Sequence, residues 1–189
     1  MINIDFDQRA MQEIQRKMGS FTRRAPSAIS NAINRTVTNV NSNIKKEVRK
    51  EYNIKASDLQ ATLRKTRATR ISLEGEVSSS GELIGLEKFK VSPKKVSPRR
   101  KTPIKVGVKK DGLKQVVRAF VADVNGLKVM ERKGKPRLPI KKLFGPSIPQ
   151  MIDNDGVREV IINEGQQMYL NRFDHEINRI LGIGSGGST

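Results

Sequence analysis

The stretch "KQVVRAFVADVNGLKVMERKGKPRLPIKKL", Lys114 to Leu143, decides the fold class. Lys114 to Val124 is strongly apolar and rich in β-branched residues, which predicts a central strand. Asn125-Gly126 follows, a pair that accepts positive φ at both positions and signals a two-residue hairpin. Leu127 to Arg132 then returns as the partner strand. Lys133-Gly134-Lys135-Pro136 turns the chain again, and Arg137 to Leu143 supplies a further short extended piece. The expectation is an antiparallel β-meander over 114–143.

Helices are expected on both sides of it. Pro26 suits a first helical turn, and Ile29, Ile33, Val37, Val40, Ile44 and Val48 follow at steps of three or four. Asn, Ser and Thr fill the other faces, so this is an amphipathic helix of roughly 25 residues whose stripe packs on the domain's own sheet. The stripe lacks the flanking charges of a free coiled coil. A shorter helix is predicted over Asp7–Ser20, with Met11, Ile14 and Met18 spaced for one face. Another is predicted over Asp58–Arg64, with Ser57 as its cap. Arg70 to Ser79 alternates as a strand with Ile71, Leu73 and Val77 on one side. Met151 to Leu181 predicts a closing helix that buries Val157, Ile161, Met168, Phe173, Ile177 and Ile180, with Asp153 or Asp155 in its first turn. The reading is one α+β domain, with long N-terminal and C-terminal helices packed on an antiparallel meander. Its parts are a helical region over 1–69, a β region over 70–150 with a basic loop over 88–110, a helix over 151–182 and a flexible tail over 183–189.

Composition narrows the chemistry. The chain has 189 residues, no Cys and no Trp. Disulfides, thiolate metal sites and cysteine nucleophiles are therefore excluded, which fits a reducing cytoplasm. No run approaches a membrane span, and Asp5, Asp7 and Glu13 occupy the region where a signal peptide needs an apolar stretch. The expected protein is soluble and touches no membrane. His175 is the sole histidine, too little for a zinc site. No Gly-x-Ser-x-Gly elbow frames a serine nucleophile, and no Gly-rich loop leads into a phosphate-binding helix. Glu74 and Glu76 sit on one predicted strand face and are the sharpest opening for a Mg²⁺-dependent nuclease, but no partner motif accompanies them. The sequence reads as a non-enzyme without catalytic, cofactor-binding or metal-ligating residues.

Charge is the stronger signal. Net charge is +18, and residues 64–142 alone carry 23 basic and 7 acidic side chains, whereas residues 143–189 are mildly acidic. From Lys94 to Lys110 eight basic residues occur with no acid, punctuated by Pro98 and Pro103. Short strands near Phe89 and over Ile104–Val108 are expected to flank this segment as a mobile cationic loop. Its candidate contact residues are Lys94, Lys95, Arg99, Arg100 and Lys101, directed at a DNA backbone or an acidic protein face. Aromatics make up only 4% of the chain, with Phe89 alone near the loop, so base stacking and sequence-specific readout are not expected.

The connector "PIKKLFGPSIPQM", Pro139 to Met151, is apolar and punctuated by proline. Pro139, Pro146 and Pro149 fix φ and lower the entropy lost on ordering, and Gly145 is expected to supply a φ that other residues reach only with strain. Ile140 and Leu143 are expected in the core. Phe144 to Pro149 divide evenly between core and subunit contact.

Two segments carry a resemblance to a known family. Val117 to Met151 resembles the phage minor tail protein Z family in its hairpin, the Arg132 turn, Leu138-Pro139-Ile140 and Gly145-Pro146-Ser147-Ile148-Pro149 before a terminal helix. Ala28 to Thr69 is similar, more loosely, to the family's Ala-x-x-x-Ala-Ile-Asn-Arg helix and the basic stretch after it. The resemblance implies a tail-completion protein at the head-proximal end of a virion tail, assembled in the host cytoplasm. It implies a ring of copies, a hexamer, around the DNA path, helping the finished tail join the head. Partners would be tail terminator or tail tube proteins, head or neck connector proteins, and the genomic DNA backbone in the lumen. The implied interface residues are Arg132, Pro139, Ile140, Phe144, Gly145, Pro146, Ser147, Ile148 and Pro149. Rival readings are a tail-tube terminator or neck adaptor, and a non-specific DNA-binding protein.

Overall fold

Pro26 does open a long helix, which runs over Ala25–Glu51 (α1). The computed structural model describes residues 24–134 and 136–181, so the helix expected over Asp7–Ser20 and the tail over 183–189 lie outside the described residues. The described residues divide into two compact units, 24–44 with 63–79 and 158–181, and 45–62 with 80–157. The class is α+β.

In the first unit the predicted stripe of α1 is buried at Ile29, Ile33, Val37, Val40 and Ile44. The hydroxyls that would otherwise oppose a helix are spent on its own carbonyls: Thr36 donates to Ala32 O at 2.9 Å, Thr38 to Asn34 O at 2.9 Å and Ser42 to Thr38 O at 3.1 Å. Strands Leu63–Thr66 (β1) and Glu76–Ser79 (β2) pair antiparallel, Leu63 opposite Ser79 and Thr66 opposite Glu76. The strand expected over Arg70–Ser79 is thus halved, and its first residues form a loop. Two pairs of hydrogen bonds, one to a distant residue and one local, explain the difference. The Asn34 amide mimics a backbone partner, donating to Ala68 O and accepting from Ala68 N, both at 2.9 Å. Thr69 Oγ1 accepts from Ser72 N at 2.9 Å, while Thr69 N donates to Ser72 O at 2.7 Å, which closes a turn. Ile71, expected on a packed face, is 98% exposed at its tip. At Gly75 the chain returns so close to α1 that an added Cβ would stand 2.5 Å from Ile33 Cγ2 and 2.7 Å from Val37 Cγ2.

Asn34→Ala removes both bonds and leaves the Ala68 amide, part of a buried residue, without its partner. The expected loss is about 1–3 kcal/mol, read from urea midpoints. An unchanged midpoint would show that the clamp is idle.

The last helix spans Asp155–Leu181 (α4), preceded by a separate short helix over Ile148–Ile152 (α3). The single helix expected from Met151 is therefore broken: Asp153 caps α3, donating its amide to Pro149 O at 2.9 Å, and Val157 N donates to Asn154 O. Asp and Asn favour such local bonds over helix continuation. In the first unit's part of α4 Ile161 is buried, but Met168, Phe173, Ile177 and Ile180 are only half-buried. Glu176 takes the deep position instead.

The second unit holds two three-stranded antiparallel sheets. One is Lys90–Ser92 (β3), Ile104–Gly107 (β4) and Lys114–Val116 (β5), with Lys90 opposite Gly107 and Ile104 opposite Val116. The other is Ala119–Asp123 (β6), Leu127–Arg132 (β7) and Ile140–Lys142 (β8), with Phe120 opposite Met130 and Arg132 opposite Ile140. The meander exists, but only over 119–142. The run expected as one strand, Lys114–Val124, is cut at Val117-Arg118, where Arg118 adopts φ 66° and hands the chain from one sheet to the other. A left-handed non-glycine residue costs about 1–2 kcal/mol, which pairing of both flanking strands offsets. The hairpin closes on Val124, Asn125 and Gly126, one residue more than expected, with positive φ at Asn125 and Gly126.

Other ties complete this unit. Asn53 Nδ2 donates to Gly107 O and Lys109 O, and Lys109 Nζ lies 2.8 Å from Glu51 Oε1. Burial pushes the Tyr52 phenol above its ordinary range, against the opposing pull of the Lys109 ammonium over its ring. Ser57 lies inside the short helix Ala56–Thr62 (α2) rather than capping it.

Candidate functional site

The connector and the cationic loop both belong to the second unit. Arg132 ends β7 with its guanidinium over the Phe120 ring, 5.1 Å from the centroid, and its Nη1 donates to Arg137 O. Lys133 N donates to Pro139 O at 3.1 Å. Arg132 is thus a brace for the turn that precedes β8. Leu138 and Pro139, joined by a cis peptide bond, stand exposed at that turn.

After β8 the chain keeps its backbone satisfied without regular pairing. Leu143 N donates to Val129 O at 2.9 Å, Leu143 O accepts from Leu86 N at 3.1 Å, and Gly145 N donates to Ile84 O at 2.7 Å. Ile140 and Leu143, expected in the core, are half-buried. Phe144 is 49% exposed, with the Lys142 ammonium 5.0 Å from its ring centroid and held by Glu87 at 2.7 Å. Gly145 does not use a left-handed φ, contrary to expectation. Its requirement is room: an added Cβ would lie 2.8 Å from Phe89 Cε2 and 3.2 Å from Cζ.

Ser147 caps α3 in a reciprocal box. Gln150 N donates to Ser147 Oγ, and Ser147 N donates to Gln150 Oε1 at 2.9 Å. Pro149 occupies the first turn, where no intrahelical donor is needed. Ile148, Met151 and Ile152 are then driven fully into the core. The Ser-x-x-Gln spacing was a readable signal for this cap. Ile148 and Phe144 part company: one seals the interior, the other is half-exposed to solvent.

Between β3 and β4 the cationic loop stands on a defined base. Lys94, Lys95, Arg99, Arg100 and Lys101 are all exposed, and among the described residues none has an acidic partner. Arg100 is restrained by its own loop, with Nε donating to Thr102 O at 2.6 Å and Nη2 to Pro103 O at 3.2 Å. The four others are exposed without such restraint in the hydrogen bonds described.

Among the described residues no group of three or more His, Cys, Asp or Glu is placed to hold a metal ion. Glu74 and Glu76, expected on one strand face, are divided between loop and β2, and His175 is exposed on α4. No described helix is long and apolar enough to cross a membrane.

The family model for prophage minor tail protein Z matches residues 9–181. The chain belongs to that family. No curated protein and no solved structure matches the chain. The match includes the connector and α1, which carried the resemblance, and also the 82–112 region, where the sequence offered no recognisable motif. As a minor tail protein Z, the chain is a structural component of a phage tail.

Proposed function

We propose that the protein is a non-catalytic completion subunit at the head-proximal end of the tail. It assembles with copies of itself as a ring, a hexamer, around the DNA path and helps the finished tail join the head. A head-to-tail interface between copies generates such a ring when its rotation closes. The neighbours are tail terminator or tail tube proteins on one side and head or neck connector proteins on the other. The observation that carries this reading is the loop with its five exposed cations, none of which has an acidic partner among the described residues. Such a surface gains little within one chain and gains most against an anionic neighbour. Exposed Leu138 and half-exposed Phe144 supply apolar contact, together with Pro139 and Ile140.

Replacing Lys94, Lys95, Arg99, Arg100 and Lys101 together by Gln is expected to lower the yield of head-joined tails roughly tenfold or more, because each exposed pair contributes up to about 1 kcal/mol. The melting temperature should hold. Unchanged assembly and DNA retention would refute the role of the loop. The same exposed cations also favour one other reading, a non-specific DNA-binding protein. That reading requires the isolated monomer to bind free duplex with a steep salt dependence. A reconstruction of the virion separates the completion ring from a tail-tube terminator or neck adaptor.

A further inference from the structure

The first unit carries a polar groove of about 590 Å³, lined by residues of that unit. One wall is α1, which contributes Asn31, Arg35, Thr38, Asn39 and Ser42 at helical spacing, opposite its buried apolar stripe. The other wall is α4, through Met168, Arg172 and Arg179, and the Asn34–Ala68 clamp sets Arg67 at the edge. Four arginines therefore line one space. Among the described residues Arg35, Arg67 and Arg172 engage no acid. The carboxylate of Glu176 forms the floor, only 3% exposed, with Oε2 at 2.7 Å from Arg179 Nη2. That contact lacks hydrogen-bond alignment, so Oε2 remains a buried acceptor without a hydrogen-bonded donor.

We propose that this groove binds an extended acidic segment of a partner protein. Guanidinium forks match carboxylates in a planar, bidentate way, which Lys does not provide. The groove charge of four Arg against one Glu calls for an anionic ligand. A uniform polyanion meets repulsion from Glu176, and no aromatic lines the groove for base stacking. The span from Asn31 to Ser42 is roughly 16 Å at the helical rise, which accommodates about five residues of extended chain.

The test uses the full chain and a fluorescein-labelled heptapeptide, Ser-Glu-Ser-Glu-Ser-Glu-Ser, in fluorescence anisotropy at physiological salt. Three probes are compared: this peptide, its Gln counterpart and a duplex oligonucleotide. Arg35→Gln with Arg172→Gln should weaken the acidic peptide roughly tenfold or more, while the five-Gln loop variant should change it less than about threefold. Methyl-labelled Met168 should shift when the peptide is added to the unmodified protein, a reading that needs no variant. The proposal is overturned if the groove variant binds the peptide normally, or if only the loop variant loses it. It is equally overturned if the Gln peptide binds as well, if the Met168 methyl stays still, or if the groove substitutions weaken duplex binding instead of peptide binding.

Discussion

Ile148→Ala is expected to lower stability by about 2–5 kcal/mol and the melting temperature by roughly 5–15 °C. Ile148 is 1% exposed and sits at the first turn of α3 with Met151 and Ile152, so truncation leaves a cavity that the capped turn resists closing. Phe144→Ala, four residues away, should cost only about 1 kcal/mol, since half of the ring already meets solvent. The two variants should then diverge in function. Phe144→Ala is expected to fold, accumulate and yield few head-joined tails, whereas Ile148→Ala is expected to fail by depletion of folded protein. Calorimetry beside a complementation assay distinguishes them. If Phe144→Ala assembled normally, the outward ring would be decoration.

Gly145→Val should destabilise by about 1–3 kcal/mol through overpacking. The added Cβ falls 2.8 Å from Phe89 Cε2 and 3.4 Å from Leu86 Cδ2, while Gly145 N is tied to Ile84 O and cannot withdraw freely. Phe89 is 3% exposed, so its ring has little space to yield. The cause is testable by compensation: adding Phe89→Leu removes the ring atoms in conflict and should recover part of the loss in a double-mutant cycle. No recovery would return the explanation to backbone conformation.

The sequence disclosed what depends on local period and missed what depends on distant partners. The stripe of α1 and its opening Pro26 were readable because helical spacing needs no tertiary context. The strands flanking the cationic loop were readable from proline placement and the apolar residues on either side. The break at Val117-Arg118 was not, because a continuous apolar run does not show that its two halves pair with different strands. The loop before β2 was hidden for a related reason: Asn34, far upstream, takes the backbone of Ala68. In the candidate site, Gly145 was visible as a requirement, but whether it answered to φ or to Phe89 needed the fold. The groove was invisible, since Arg35, Arg67 and Arg172 come from three separate elements.

The register of β3 against β4 is fixed by Lys90 opposite Gly107 and Ser92 opposite Lys105, and the intervening segment begins and ends at that pair. Closure entropy grows only logarithmically, about 0.6 kcal/mol for each doubling of length. Insertions and deletions between the two stems therefore cost the sheet little. The segment can change length as a graft, with the scaffold left as it was.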